Sequence, residues 1–169
     1  MKCKVFLINL DSSTERFTFM DEQLKQLGIE YQRISAVYGK DLHDTDIAKV
    51  YDPQANLQKY DKKLNLGEIG CYLSHVQCWQ MIIEQQLDYA LILEDDSVLD
   101  PALMTVIEHI ENLSTDWDYI KLCHDYGTEE LWNAWCESLA LKSDRWVDGF
   151  HVSEVHYTYL TNNNRRVVC

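Results

Sequence analysis

Residues 4–10 (KVFLINL) form an apolar run with polar ends. Such a short run, with no helical period, predicts a strand covered on both faces, the kind that parallel sheets contain. Ser12 and Glu15 stand at capping-box spacing, and Phe17, Met20, Leu24 and Leu27 follow at helical intervals until Gly28. A helix is therefore expected to start near Ser12 and to stop at the glycine. Residues 29–37 (IEYQRISAV) return as a second strand, closing a β-α-β unit whose crossover should be right-handed.

Residues 38–66 lose this periodicity. They are rich in Asp, Lys, Gln and Asn and contain Pro53, which predicts a surface excursion with at most one short helix. From Gly67 the pattern sharpens: Ile69, Tyr72, Leu73, Val76, Trp79 and Ile83 mark one face of a helix ending near Gln86. The buried-type run YALILEDD then leads straight into three carboxylates. Asp100-Pro101 opens a helix through Leu103, Val106, Ile107 and Ile110, with proline at an early helical position. Residues 117–123 (WDYIKLC) and 155–160 (VHYTYL) are expected as further strands.

Strands that alternate with helices imply one α/β domain over residues 1–169, built on a largely parallel sheet. In such sheets ligands bind outside the carboxyl ends of the strands. Asn9–Asp11 and Glu94–Asp96 both follow strands, so the sequence alone places these two polar clusters on one edge.

Composition narrows the possible ligands. The 169 residues are 46% hydrophobic, enough for one domain with a core, and the formal net charge of -13 repels polyanions. Nucleic acid is excluded as a natural partner, but a nucleotide is not: backbone amides, one arginine and a divalent cation neutralise its phosphates locally. The start, MKCKVFLINLDSS, is too short in apolar residues for a signal peptide, and no stretch approaches the roughly 20 needed for a membrane span. A cytoplasmic protein is expected. Its six scattered cysteines then predict free thiols.

Glu94, Asp95 and Asp96 in succession repel one another, and a divalent cation removes that penalty. Oxygen donors suit Mg²⁺ or Mn²⁺, which take one or two protein carboxylates and complete their shell with phosphate and water. Along a strand Glu94 and Asp96 share a face and Asp95 points away, which makes Glu94 and Asp96 the pair for one ion unless a turn intervenes. A solvated acidic loop capping the next helix is the plainer alternative. Arg16, in the first turn of a helix, is disfavoured by the macrodipole unless an anion is near, although pairing with Asp11 or Glu15 would also account for it. In LGEIGCYLSH, Glu68 and His75 share a helical face. Cys71, His75 and Cys78 resemble a zinc set that lacks an adjacent fourth ligand, and a buried histidine in a capped helix is the simpler account.

FLINLDSSTERFTFMDEQLKQLGIEYQRISAV, followed by LGEIGCYLSHVQCWQMIIEQQLDYALILEDDSVL, resembles glycosyltransferase family 25, the bacterial lipopolysaccharide-biosynthesis glycosyltransferases related to collagen galactosyltransferase domains. The resemblance covers about residues 3–124, with the three motifs in the family's order. It implies a GT-A-like, Rossmann-type nucleotide-binding sheet with flanking helices. The implied reaction moves a hexose, galactose or glucose, from a UDP-sugar to a lipopolysaccharide core or other surface glycan, with inversion and with Mn²⁺ or Mg²⁺. Asn9, Leu10, Asp11 and Arg16 fall on the donor-nucleotide motif, and Glu68 and His75 on the helix motif, so all six are expected to bind the nucleotide sugar. Glu94, Asp95 and Asp96 fall on the acidic motif, with Asp95 and Asp96 as the catalytic positions and Glu94 and Asp96 as metal ligands.

No general base is assigned by the resemblance. The acceptor would bring the chain into peripheral contact with the inner face of the membrane. Family members extend further, so residues 1–124 are expected to be the donor half and residues 125–169 an incomplete acceptor side, truncated at the C-terminus. A nucleotide-sugar-binding module without transfer activity is the runner-up. A response-regulator-like acidic pocket, with Lys121 as its lysine, would leave GEIGCYLSH unexplained.

Overall fold

The computed structural model describes residues 2–59, 61–101, 103–110, 119–120, 122, 145–147, 150–152 and 166–168. β1 (Cys3–Asn9) leads into α1 (Thr14–Gln26) and returns as β2 (Gln32–Ser35). A 3₁₀ turn (Gly39–Asp41), α2 (Asp44–Val50) and α3 (Pro53–Leu57) precede the long α4 (Leu66–Glu84) and β3 (Tyr89–Glu94). α5 (Leu103–Ile110), β4 (Tyr119–Ile120), β5 (Arg145–Val147), β6 (Phe150–Val152) and β7 (Arg166–Val168) follow. The main sheet runs β2-β1-β3-β7-β4 with every pair parallel, and β5 and β6 form a separate antiparallel pair. The α/β class and the parallel sheet are thus as expected.

The uninterrupted apolar strands are explained by a layer on each face. Val5 and Leu7 of β1 and Leu91 and Leu93 of β3 pack with Met20 and Leu24 of α1 and with Leu103 and Ile110 of α5. Their neighbours Phe6, Ile8, Ala90 and Ile92 face the other way, onto Cys78, Trp79 and Ile82 of α4. Phe6 and Leu7 are completely buried, each worth roughly 1.5–3 kcal/mol of transfer energy. With α1 and α4 on opposite faces, β1 leads to β2 on one side and β2 returns to β3 on the other. Right-handed connections travelling in opposite directions require this arrangement. Between β1 and β3 the strand order reverses, and that is where an open α/β sheet has its crevice.

Several local expectations are corrected. Ser13, not Ser12, is the N-cap of α1, and no side-chain bond caps it. The capping box lies instead at α4, where Asn65 accepts from the Glu68 amide and Glu68 accepts from the Asn65 amide. The 38–66 excursion holds two short α-helices, not one at most. α3 is started by Asp52, whose side chain accepts from the Gln54 and Ala55 amides, with Pro53 at the first helical position. Gly28 ends α1 as expected, at a φ of 68° that side-chain-bearing residues rarely adopt.

Of the expected 117–123 strand, Tyr119–Ile120 is seen; residues 155–160 lie outside the described residues, as does most of the expected acceptor side. Among the described residues no helix is long and apolar enough to cross a membrane. Cys71 and Cys78 are thiols outside any disulfide.

Candidate functional site

The carboxyl ends of β1 and β3 open into a cavity of about 520 Å³. This volume is in the range of small-molecule sites. One wall is the backbone of Val37–Lys40 packed against the first turn of α4. That approach depends on two glycines: a Cβ on Gly39 would collide with the Leu66 carbonyl, and one on Gly70 would lie 2.6 Å from the Val37 oxygen. Ser74, buried beneath, fixes the same contact by accepting from the Val37 amide at 2.9 Å and donating to the Gly70 carbonyl.

Asn9, the last residue of β1, is 1% exposed, and its side chain is fully engaged. Its Nδ2 donates to Asp95 at 2.6 Å and to the Ser13 carbonyl at 3.1 Å, while its Oδ1 accepts from both Nε and Nη2 of Arg33. Asp95 is buried in turn, and its other oxygen lies 3.3 Å from Arg16. Arg16 also reaches to 3.8 Å from Asp96. Arg16 therefore pairs with the acidic motif, not with Asp11 or Glu15. Asp11 is occupied by Arg33 at 2.8 Å and by the Ser35 hydroxyl at 2.6 Å.

The structure thus brings Asn9, Leu10, Arg16, Glu94, Asp95 and Asp96 together around the cavity. It places Asp11, Glu68 and His75 outside the cavity lining. Asp11 braces β2; Glu68 closes the capping box and meets Lys62 at 3.4 Å. The hydrogen bond from the Asn65 backbone, more than Lys62, holds the Glu68 carboxyl below its usual range. The His75 ring stands behind the wall, with its Nε2 3.7 Å from Glu94.

Sequence reasoning missed Arg33, Tyr38 and Lys40, and considered Cys71 only for a zinc set, not for the cavity. Arg33 had no signal, because a single arginine in a short strand looks like any surface residue. Cys71 had one, since it lies one helical turn from His75. Its thiol is pushed up to about 11, first by burial and then by the charges of Glu94 and Asp96.

The acidic motif fits a divalent ion. Glu94 and Asp96 are half or more exposed in their side chains, line the cavity and offer hard oxygen donors, whereas both oxygens of Asp95 are held inside the protein. Two such carboxylates suffice for Mg²⁺ or Mn²⁺ when phosphate and water complete the shell. β3 ends at Glu94, and a turn closed by the Ser97 amide on the Glu94 carbonyl carries Asp95 and Asp96.

A parallel sheet with helices on both faces, and a cavity edged by carboxylates at the point where its strand order reverses, defines a Rossmann-type α/β protein of the GT-A-like kind. Comparison with known proteins gives the family. Residues 2–137 match the sequence profile described as Glycosyltransferase family 25 (LPS biosynthesis protein). Procollagen galactosyltransferase 1-A of Xenopus laevis is 34% identical over 126 residues, which is 70% of this chain and 21% of that protein. A glycosyltransferase 25 family member of Anopheles gambiae is 29% identical over 168 residues, 93% of this chain and 26% of its own length. Procollagen galactosyltransferase 2 of Homo sapiens is 30% identical over 129 residues, 69% of this chain and 20% of that protein. The chain belongs to glycosyltransferase family 25, and it spans about a quarter or less of the length of these relatives.

Proposed function

We propose that the chain binds a UDP-sugar at the β1/β3 crevice and transfers its hexose, galactose or glucose, to a hydroxyl of a lipopolysaccharide core or other surface glycan. The observation that carries this reading is Arg16. It is the cation drawn across the crevice to Asp95 and Asp96, at the mouth of a cavity whose floor is the end of β1. Being 60% exposed, it can serve the phosphates of a donor as well as the carboxylates.

In the proposed reaction the acceptor oxygen forms a bond to the anomeric carbon as the bond from that carbon to the diphosphate breaks. The nucleoside diphosphate leaves with the electron pair, and the acceptor proton passes to a base. A single displacement of this kind inverts the anomeric centre. Glu94 and Asp96 would hold Mn²⁺ or Mg²⁺, which supplies charge stabilisation to the leaving diphosphate. Asp95 keeps Arg16 and the end of β1 in place from beneath. Lys40 also borders the cavity and would bring a second positive charge to the donor phosphates. A membrane-borne acceptor would bring the chain to the inner membrane face.

The experiment is thermal unfolding with UDP and Mn²⁺, with and without EDTA. A ligand at 100 times its Kd stabilises by about 2.7 kcal/mol, or roughly 5–11 °C for a chain of this size. Saturating UDP that leaves the unfolding temperature of a folded sample unchanged, with either metal, removes the nucleotide site from this crevice.

A further inference from the structure

At the cavity wall Cys71 and Glu94 converge with His75, an arrangement the donor site does not require. Cys71 and His75 are one turn apart on α4 and share a face. Glu94 reaches them from the last position of β3, on the same sheet face as Ile92. The Cys71 Sγ lies 3.8 Å from His75 Nδ1 and 3.9 Å from Glu94 Oε1, and His75 Nε2 is 3.7 Å from that same oxygen. One ligand atom from each residue lies within 4.8 Å of those of the other two. A tetrahedral ion with bonds of about 2.0–2.3 Å sets its ligands roughly 3.3–3.6 Å apart, so Glu94 needs to close on Nε2 and on Sγ by a few tenths of an ångström, and Sγ and Nε2 on each other by at most about 1 Å.

The histidine is already oriented for such a role. Its Nδ1 lies 3.1 Å from the Cys71 carbonyl, which can only accept, so Nδ1 carries the proton. In the neutral ring Nε2 then carries the lone pair, on the side of Glu94. Metal-binding histidines are held this way, with the other ring nitrogen donating to a carbonyl or carboxylate. Cys71 and Glu94 both line the cavity, so a position on the ion beyond these three ligands opens into it.

We propose that Cys71, His75 and Glu94 bind a thiophilic divalent cation of the zinc class, as a three-ligand site with its remaining position facing the cavity. Thiolate and imidazole donors select zinc over the magnesium and manganese that all-oxygen sites prefer. Binding releases the Cys71 proton to solvent. The zinc set considered from sequence included Cys78, but Cys78 is fully buried among Phe6, Ile8 and Ile82 and does not join. Glu94, from another element, takes its place. The site shares Glu94 with the proposed donor metal but needs neither a nucleotide nor Asp96, so Asp96→Asn separates the two readings.

Titration of the chelator-treated 169-residue chain with Co²⁺, a spectroscopic stand-in for zinc, tests this. The expected result is strong visible absorption of a four-coordinate ion together with a near-ultraviolet thiolate-to-cobalt band, both erased by one equivalent of Zn²⁺. Cys71→Ser, at an exposed position where the fold is checked by circular dichroism, should remove the thiolate band. His75→Ala should weaken binding by more than about tenfold, the least that losing even an outer-shell partner tends to cost. Asp96→Asn should leave the spectrum unchanged. A weak, all-oxygen six-coordinate spectrum, or a thiolate band that survives Cys71→Ser, would overturn the proposal. So would binding lost in Asp96→Asn but kept in Cys71→Ser.

Discussion

Replacing Asp95 with alanine should damage the fold, whereas the same change at neighbouring Asp96 should damage only ligand binding. Asp95 is buried, accepts from Asn9 at 2.6 Å and stands 3.3 Å from Arg16. Its loss leaves one N–H of a 1% exposed asparagine without its acceptor. A hydrogen bond to a charged group is worth about 1.5–3 kcal/mol. Arg16 is 60% exposed, so solvent screening holds its share to at most about 1 kcal/mol. The sum, about 2–4 kcal/mol, lowers the unfolding temperature by about 4–16 °C in a chain of this size. Asp96 is 64% exposed and among the described residues pairs only with Arg16, at 3.8 Å, so Asp96→Ala should stay within about 0.5 kcal/mol, or roughly 2 °C. Calorimetry at neutral pH without ligand measures both. A cycle with Asn9→Ala should show coupling to Asp95 of about 0.5–3 kcal/mol and none to Asp96. Equal losses at the two aspartates, or an Asp95→Ala variant that melts with the parent, would refute the division of labour within the acidic motif.

Gly70→Ala should destabilise by about 1–3 kcal/mol, because the new methyl meets backbone at Val37 and Gly39 that cannot rotate away; urea titration should show a lower midpoint with an unchanged slope. Asn65→Ala should cost about 1 kcal/mol through loss of the cap, and Asn65→Gly only a few tenths, both readable from the same titration. Glu68 has a folded pKa below 4.5, so its stabilising contribution is complete above that value and disappears as pH falls through the lower folded value. The stability gap between the parent and Glu68→Gln should therefore shrink on acidification, and a constant gap down to about pH 3 would contradict the assignment. Cys71, with its thiol pushed up to about 11, should alkylate slowly at neutral pH, with a rate still climbing where an ordinary thiol has levelled off near pH 9; a plateau there would count against the burial and charge ascribed to it.

The parts of the fold visible in the sequence were those whose signal is local. β1 and β3 were legible as unbroken apolar runs because helices cover both faces of the sheet. α1 and α4 were legible from helical spacing and from Gly28. The edge on which Asn9 and Glu94–Asp96 meet followed from strand ends alone. Three things were hidden. The cap of α4 is Asn65 with Glu68, a spacing present in the sequence but placed just ahead of Gly67, where the helical pattern sharpens. The role of Arg33 depends on β1 and β2 being parallel and in register, with Asn9 opposite Ser35, which no local pattern encodes. The meeting of Cys71 and His75 with Glu94 joins a helix face to a strand end 23 residues away. Such pairings are set by tertiary packing, which periodicity does not report.

Asn9 also acts as a register lock. Its two N–H groups and its carbonyl oxygen are met by partners from α1's approach, from β2 and from the turn after β3, and all of them are in place only when β1 lies in one alignment with both neighbours. A slip of β1 by a single residue would turn every side chain to the opposite face, put Ile8 in the place of Asn9 beside Asp95 and Arg33, and bury the amide against hydrocarbon. Each unmet group there costs about 1–3 kcal/mol, while the apolar residues Val5 to Ile8 would pack nearly as well shifted as unshifted. A run of interchangeable aliphatic side chains says little about alignment. One asparagine at its end excludes the misaligned sheets that those side chains would tolerate.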